Sequence, residues 1–406
     1  MFKNAQTLAV ILAGGSGTRL APLSLTFGNN LPKQFLALAK KNTILQEAVN
    51  RIPAEIPKII IPEERYKEEV LKQTENKVEV VAEPFGCNTA TAIGLAAIFA
   101  LSKGYDEDTI LFVAPADHYM DTRVFRKYFT IAAEAAQKGK IITIGIAPDR
   151  PETGYGYIKV NKKHQHFFGT QALFEVEQFV EKPSLEVAQE YQKSGAYFWN
   201  AGMFALKIST LLKALETHMP GIYGQLMNIR PSLGTAEEAQ VIRQGYEAIK
   251  QAGQNISVDY AIMEKEAKNI LLIPANERLS WNDVGGWIAL ERYCKPTEEK
   301  NRAFNRVEFI TSSDVFALNY RAEHLCKVEN LQEMLVVSSG NGLFICPKTQ
   351  AQRAKEIISG LEKGEKNIQI DSSNNTINNT TDIPVALIGC SGLTIDYTAE
   401  QVLVKK

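Results

Sequence analysis

The chain has 406 residues, with 45 Lys+Arg against 46 Asp+Glu and a net charge of −1. That length accommodates two or three domains, and the balanced charge excludes the basic excess of a general nucleic-acid binder. No run reaches the roughly 18–20 apolar residues of a membrane helix, and five scattered cysteines without CxxC or metal-ligand spacing fit a reduced, cytoplasmic protein.

Apolar runs at 8–13, 58–62, 78–83, 109–115 and 140–146 lack polar alternation and read as strands buried on both faces. Helix-like stretches at 90–102 and 124–139 lie between them, the second closing at Lys138-Gly139. This order predicts an α/β domain with a mixed, mostly parallel sheet. Further on, 154–160 and 174–183 read as strands. Residues 184–195 read as a helix with Ser184 as N-cap, and 257–268 as a helix over the sheet. The composition turns polar near 295–305, which places a domain boundary between 1–295 and 296–406. Beyond it, β-rich runs recur at 315–320, 333–339 and 341–347, followed by a helix at 351–364. Residues 365–382, rich in Asn, Ser and Thr, read as a linker. Residues 385–404 repeat the character of 326–346, so a small β-solenoid-like module is expected. It could serve as a surface for homo-oligomer formation.

The first strand runs into GGSGTRL, with Gly14, Gly15, Gly17 and Arg19, and Lys33 follows fourteen residues after Arg19. Glycines let a backbone approach a ligand closely, and loop N–H groups with two cations suit several phosphates. The loop is neither G-x-G-x-x-G nor a Walker A sequence. Asp117, in PADH, sits just past an apolar strand, where ligands of open α/β sheets gather; by itself it reads as a turn or cap. Asp283, in WNDVGGW, alone could be a turn residue. Together the two carboxylates suit Mg²⁺, which prefers oxygen ligands and substrate phosphates. Glu181 and Lys182, in FVEKP, point to opposite faces if the strand persists, and serve one ligand only if the backbone turns there; otherwise they are a surface ion pair. In WNAGMF, Asn200 is a polar group within an aromatic core. His164 and His166 read as part of an exposed hairpin.

The motifs GGSGTRL…PKQF, EPFGCNTATAIG, PADH, TGYGYI, FVEKP, WNAGMF, SVDYAIMEK and WNDVGGW occur in one order. In this the chain resembles the mannose-1-phosphate guanylyltransferases of the sugar-nucleotidyltransferase superfamily, over about residues 5–350. The resemblance implies a Rossmann-like catalytic domain that forms GDP-mannose and pyrophosphate from GTP and mannose 1-phosphate, with Mg²⁺ and without nucleic-acid or membrane partners. It implies catalytic roles for Arg19, Lys33 and Lys182. Nucleotide contacts fall to Ala13, Gly14, Gly15, Gly17, Thr18, Asn88 and Asp117, sugar contacts to Gly154, Glu181 and Asn200, and the metal to Asp117 and Asp283. Guanine offers two parallel N–H donors on one edge, and Glu83, at the end of 78–83, is a candidate acceptor for both. As an isolated carboxylate it also reads as a turn residue.

The chain departs from the family pattern at Ala21, Leu25 and Cys87, where Trp, Arg and Arg are common in relatives. Arg-to-Cys removes a permanent charge and a planar donor fork. No histidine lies beyond His324, so the isomerase cupin domain of many bacterial relatives is not expected. Two alternatives stay open: a guanylyltransferase for another sugar 1-phosphate, and a non-catalytic nucleotide-sugar sensor.

Overall fold

Strand-forming residues alternate with helices through the first two-thirds of the computed structural model, which describes residues 6–15, 18–24 and 31–406. Gly17 and Leu25 lie outside the described residues. By compactness the chain divides into two units, 1–14 with 45–281 and 15–44 with 282–406. The division cuts the glycine loop between Gly14 and Gly15.

In the first unit the strands are β1 (Thr7–Leu12), β2 (Lys58–Ile61), β3 (Glu79–Val80), β4 (Ile110–Pro115), β5 (Ile141–Ile146), β6 (Gly156–Phe168), β7 (Gln171–Glu181), β8 (Tyr197–Lys207) and β9 (Ile270–Ala275). The described residues build one mixed sheet of order β3-β2-β1-β4-β8-β5-β9-β7-β6. β1 pairs in parallel with β2 and β4, and β5 with β9, whereas β8 runs antiparallel to β4 and β5. This is the expected α/β architecture. Leu8, Ala9, Val10 and Ile11 are all buried, as a strand covered on both faces requires.

The helices are α1 (Ile44–Arg51), α2 (Lys67–Gln73), α3 (Asn88–Ser102), α4 (Thr122–Ala136), α5 (Leu185–Ser194), α6 (Ile208–His218), α7 (Pro220–Ile229) and α8 (Glu238–Gln251). α3 is buried continuously from Ala90 to Ala100, and its small residues let α6 and α7 pack close. Gly94 shows how close, since a Cβ there would lie 2.4 Å from Leu226 Cδ1. α4 starts at Asp121, which accepts from the Val124 N–H at 2.9 Å. α5 has the expected Ser184 cap and ends at Gly195 in the left-handed region. Residues 208–251, unassigned from sequence, fold as α6–α8. The helix expected at 257–268 is instead a π-helical turn, Asp259–Met263.

The second unit carries β10 (Arg302–Phe304), β11 (Val307–Ile310), β12 (Phe316–Asn319), β13 (Leu325–Glu329), β14 (Met334–Ser339), β15 (Gly342–Pro347), β16 (Asn367–Ile370), β17 (Thr376–Asn379), β18 (Val385–Ile388), β19 (Thr394–Tyr397) and β20 (Gln401–Lys405). Successive coils stack in parallel: Val307 pairs with Cys326 and Phe316 with Leu335, nineteen residues on, while Ile368 pairs with Ala386 and Thr376 with Thr394, eighteen residues on. The module is therefore β-rich and solenoid-like. Strands opening at Val307, Phe316, Leu325 and Met334 recur sixty residues later at Asn367, Thr376, Val385 and Thr394. Each copy sits in the opposite sheet, and the parallel pair β15–β18 matches β20–β13, the pattern of a two-fold exchange.

The linker expected at 365–382 is corrected: that segment is the outer coil, containing β16 and β17. Its polar residues satisfy corner backbone rather than solvate a tether. Asn375 donates to the Cys390 carbonyl and accepts from the Leu393 N–H, and Asn379 accepts from Thr381 N–H while donating to the Ile383 carbonyl. Asn319 plays the part of Asn379 in the earlier coil, accepting from Arg321 N–H and donating to the His324 carbonyl. The expected helix at 351–364 is a 3-10 run, Lys348–Ile357, ending in a short α9, Ile358–Glu362.

Candidate active site

β1 delivers the chain into the glycine loop at Ala13, whose N–H donates to the Ile61 carbonyl at 2.9 Å. Gly14 is exposed, and Gly15 has φ +122°, in the region that favours glycine. In the second unit, Thr18–Leu20 form a 3-10 turn with Arg19 exposed. Gln34 donates to the Gly15 carbonyl at 3.3 Å. Lys33 Nζ donates to the Asp283 carbonyl at 2.8 Å and the Val284 carbonyl at 3.3 Å. The fold thus brings together two predicted site residues 250 positions apart.

The Asp283 loop is tightly tied. Val284 N–H donates to Asn282 Oδ1, Gly285 N–H to Asp283 Oδ1, and Asn282 Nδ2 to the Ala289 carbonyl. Val284 is buried with φ +49°, an outlier for a β-branched residue and the kind of strain that gathers at functional sites. Ala21 is fully buried, and its carbonyl accepts from the indole N–H of buried Trp287 at 3.0 Å.

In the first unit Glu83 follows β3, its N–H donating to the Pro62 carbonyl. Its carboxyl is buried, and Oε2 would lie 3.5 Å from a Cβ on Gly14. Oε1 has no hydrogen-bond partner. Burial pushes the acid up to about 8, against the opposing pull of Tyr246 and the Cys87 backbone. An unpaired, buried acceptor beside the glycine loop is costly unless a ligand donates to it. Asn88 begins α3 with φ +61°, exposed, its Oδ1 accepting from Thr89 N–H. Cys87 is fully buried, and burial raises its thiol pKa.

Asp117 lies two residues past β4. His118 Nε2 stands 3.6 Å from Asp117 Oδ1, and His118 Nδ1 accepts from the Trp281 indole N–H at 3.2 Å. An indole only donates, so in the neutral ring the proton is on Nε2, facing the carboxylate. Asp117 and Asp283 offer only hard oxygen donors. Among the described residues no group of three or more His, Cys, Asp or Glu assembles into a cage. That donor chemistry fits Mg²⁺, which is commonly held by one or two carboxylates with substrate phosphates completing the shell.

The end of β7 answers the question left open for Glu181 and Lys182. Lys182 has φ +47°, so the strand turns there and both side chains come to one place, with Nζ 2.6 Å from Glu181 Oε1. The Lys182 N–H donates to the Tyr155 carbonyl. The hydrogen bond that Lys182 donates to Glu181 raises the Lys182 pKa against the opposing effect of burial. Gly156 is required: a Cβ there would lie 2.5 Å from Glu181 Oε2 and 3.3 Å from Asn200 Cβ. Gly154, in the preceding loop, donates to Glu152 Oε1. Asn200 Nδ2 donates to Asp259 Oδ1, and Asn200 Oδ1 accepts from Gly202 N–H, both at 2.9 Å. Burial, then the Glu181 charge, pushes Asp259 up to about 6.

Asp259 and Gly156 were not among the expected site residues. The available signal was an acid embedded in the apolar SVDYAIM run and a second glycine in TGYGYI. His164 and His166 lie at the exposed end of the β6–β7 hairpin, both against Glu175, as expected. Among the described residues no helix is long and apolar enough to cross a membrane.

Introducing Ala at Gly156 is expected to move the tip of Glu181 and to push on the Asn200 Cβ. It should displace that carboxylate from Lys182 and, if the pair serves a substrate anion, raise that substrate's KM about tenfold, an effect of the size of one charged hydrogen bond. Steady-state kinetics varying each substrate separately checks this.

Residues 8–300 match the nucleotidyl transferase family. The chain is 34% identical over 364 residues to a putative mannose-1-phosphate guanylyltransferase of Vibrio cholerae, spanning 87% of this chain and 74% of that protein. It is 34% identical over 362 residues to the mannose-1-phosphate guanylyltransferase of Escherichia coli K12, spanning 87% and 73%. The crystal structure described as a mannose-1-phosphate geranyltransferase from Thermus thermophilus superposes with a TM-score of 0.74 at 29% identity, covering 88% of this chain and 99% of that one.

Proposed function

Since this chain belongs to the mannose-1-phosphate guanylyltransferase family of nucleotidyl transferases, we propose that it forms GDP-mannose and pyrophosphate from GTP and α-D-mannose 1-phosphate. The phosphate oxygen of the sugar attacks the α-phosphorus in line, and the bond to pyrophosphate breaks as the new P–O bond forms. No protein nucleophile is needed, and the rate comes from positioning and charge neutralisation.

In this reading Ala13, Gly14, Gly15, Gly17 and Thr18 hold the nucleotide, with Asn88 and Asp117, and Glu83 reads the guanine edge. Arg19 and Lys33 neutralise the triphosphate and the departing pyrophosphate. Lys182 binds the sugar phosphate, while Gly154, Glu181 and Asn200 meet the hexose. Asp117 and Asp283 would hold Mg²⁺, which supplies charge neutralisation on the phosphates. Catalysis falls to 1–295, and 296–406 supplies the β-rich unit and a surface for self-association.

The observation that carries this reading is the turn at Lys182. It places an ammonium and a carboxylate side by side, as a ligand with an anionic phosphate and neighbouring hydroxyls requires. The test is pyrophosphate release from GTP with Mg²⁺ and a panel of sugar 1-phosphates. Mannose 1-phosphate should give the highest kcat/KM. A faster hexose or heptose 1-phosphate would reassign the sugar, and GDP-mannose binding without any turnover would make the protein a sensor.

A further inference from the structure

We infer that Asp259 is a positioning residue for the sugar half of the site, fixing the Asn200 amide. The inference rests on the reading that Glu181 and Asn200 meet the sugar.

Three observations converge on it. First, the Asn200 amide is pinned at both ends. Nδ2 donates to Asp259 Oδ1 and Oδ1 accepts from Gly202 N–H, each at 2.9 Å. Those bonds fix which end of the amide is which and leave one N–H and one lone pair uncommitted by them. A ligand hydroxyl, both donor and acceptor, matches that remainder. Asp259 therefore sets what Asn200 can offer without itself contacting substrate.

Second, Asp259 sits in the π-helical turn Asp259–Met263. Such turns insert a residue into the helical path and are frequent at functional sites. An ordinary α-helical turn would aim successive side chains differently. Here Asp259 is turned toward Asn200, while Tyr260 next to it remains exposed.

Third, the charges around it are ordered. Glu181 raises the Asp259 acid and Lys182 lowers it, and Asp259 in turn helps raise the Lys182 ammonium. Two carboxylates share one ammonium. Glu181 is the one in direct contact with it, at 2.6 Å. Asp259 acts on the same ammonium as a further charge.

Asp259→Ala and Asp259→Asn separate the role from general structure. Ala removes acceptor and charge; Asn keeps an acceptor oxygen for Asn200. Asp259→Ala should raise the KM for mannose 1-phosphate at least tenfold with the KM for GTP unchanged within twofold, and Asp259→Asn should recover most of that loss. Independently of turnover, the Asn200 side-chain amide protons, followed by NMR in the whole protein, should exchange slowly in the wild type and Asp259→Asn and fast in Asp259→Ala. Equal rises in both KM values, or Asn200 exchange unchanged in Asp259→Ala, would overturn the assignment. A wild type inert toward every sugar phosphate would sink the functional reading instead, and the NMR comparison would still decide the role of Asp259.

Discussion

Lys182→Met is expected to lower kcat/KM for mannose 1-phosphate by about 10²–10³-fold, the loss that follows removal of one preorganised charge-stabilising donor. Methionine keeps the length and apolar stem of lysine and removes only the ammonium. The backbone at 182 is already held by its N–H bond to the Tyr155 carbonyl and by the turn, so the strand end should persist. What changes is the charge. Glu181 loses its 2.6 Å partner, and Asp259 loses the ammonium that lowers its acid. Lys182→Arg should restore little, because a planar guanidinium does not replace a compact ammonium at a site of this size. Steady-state kinetics and a melting curve decide the matter. A rate within threefold of the wild type, with an unchanged melting temperature, would remove Lys182 from the catalytic set.

The second large effect is expected at Glu83. Guanine presents two N–H donors in parallel, and a carboxylate accepts both; a Gln side chain offers one acceptor and one donor. Glu83→Gln should reduce the preference for GTP over ATP by about 10–100-fold, the range for losing a charge-assisted hydrogen bond and leaving a mismatched donor. Unchanged selectivity over ATP and dTTP would reject the assignment.

Glu83 also gives a pH signature. Its acid is pushed up to about 8 by burial, so below that pH the unliganded protein carries it protonated. Two guanine donors favour the ionised form. Nucleotide binding should therefore release a proton, and affinity should rise with pH, by roughly tenfold per unit well below the raised value. GDP-mannose is the suitable probe, since it lacks the terminal phosphate ionisation of GTP. Calorimetry in buffers of different ionisation enthalpy should detect the proton between pH 6 and 8 in the wild type and not in Glu83→Gln.

The same raised value has a consequence for stability. Because the folded acid holds its proton more tightly than the unfolded one, its contribution is greatest at low pH and is lost as pH rises from about 4.5 to about 8. Glu83→Gln should therefore be at least as stable as the wild type at pH 8, which guards against reading lost selectivity as unfolding.

Much of the architecture was legible because it depends on local pattern. The strands at 8–13, 109–115 and 140–146 are continuous apolar runs, and only a sheet covered on both faces explains such runs beside short helices. Ser184 and Gly195 bound α5 with side-chain and backbone chemistry that needs no tertiary partner. The outer coil at 365–382 was misread for a clear reason. Asn and Ser that tie solenoid corners have the same composition as a solvated linker, and only the parallel neighbour eighteen residues on distinguishes them. The π-helical turn at Asp259 was likewise invisible, since SVDYAIMEK has helical periodicity throughout.

Sequence by itself determined the chemical inventory: a glycine loop after the first strand, two cations near it, two separated carboxylates, and an EK pair ahead of a proline. It determined the family as well, because those motifs occur in one order. Tertiary structure decided where the groups sit. Lys33 meets the Asp283 loop only because residues 15–44 fold with residues 282–406. Glu83 has its unusual acidity only because it is buried beside Gly14. Lys182 joins Glu181 only because the backbone turns left-handed at that residue. Residue identity and spacing record which groups are present, but burial, backbone sign and through-space charge arise from chain segments far apart in sequence.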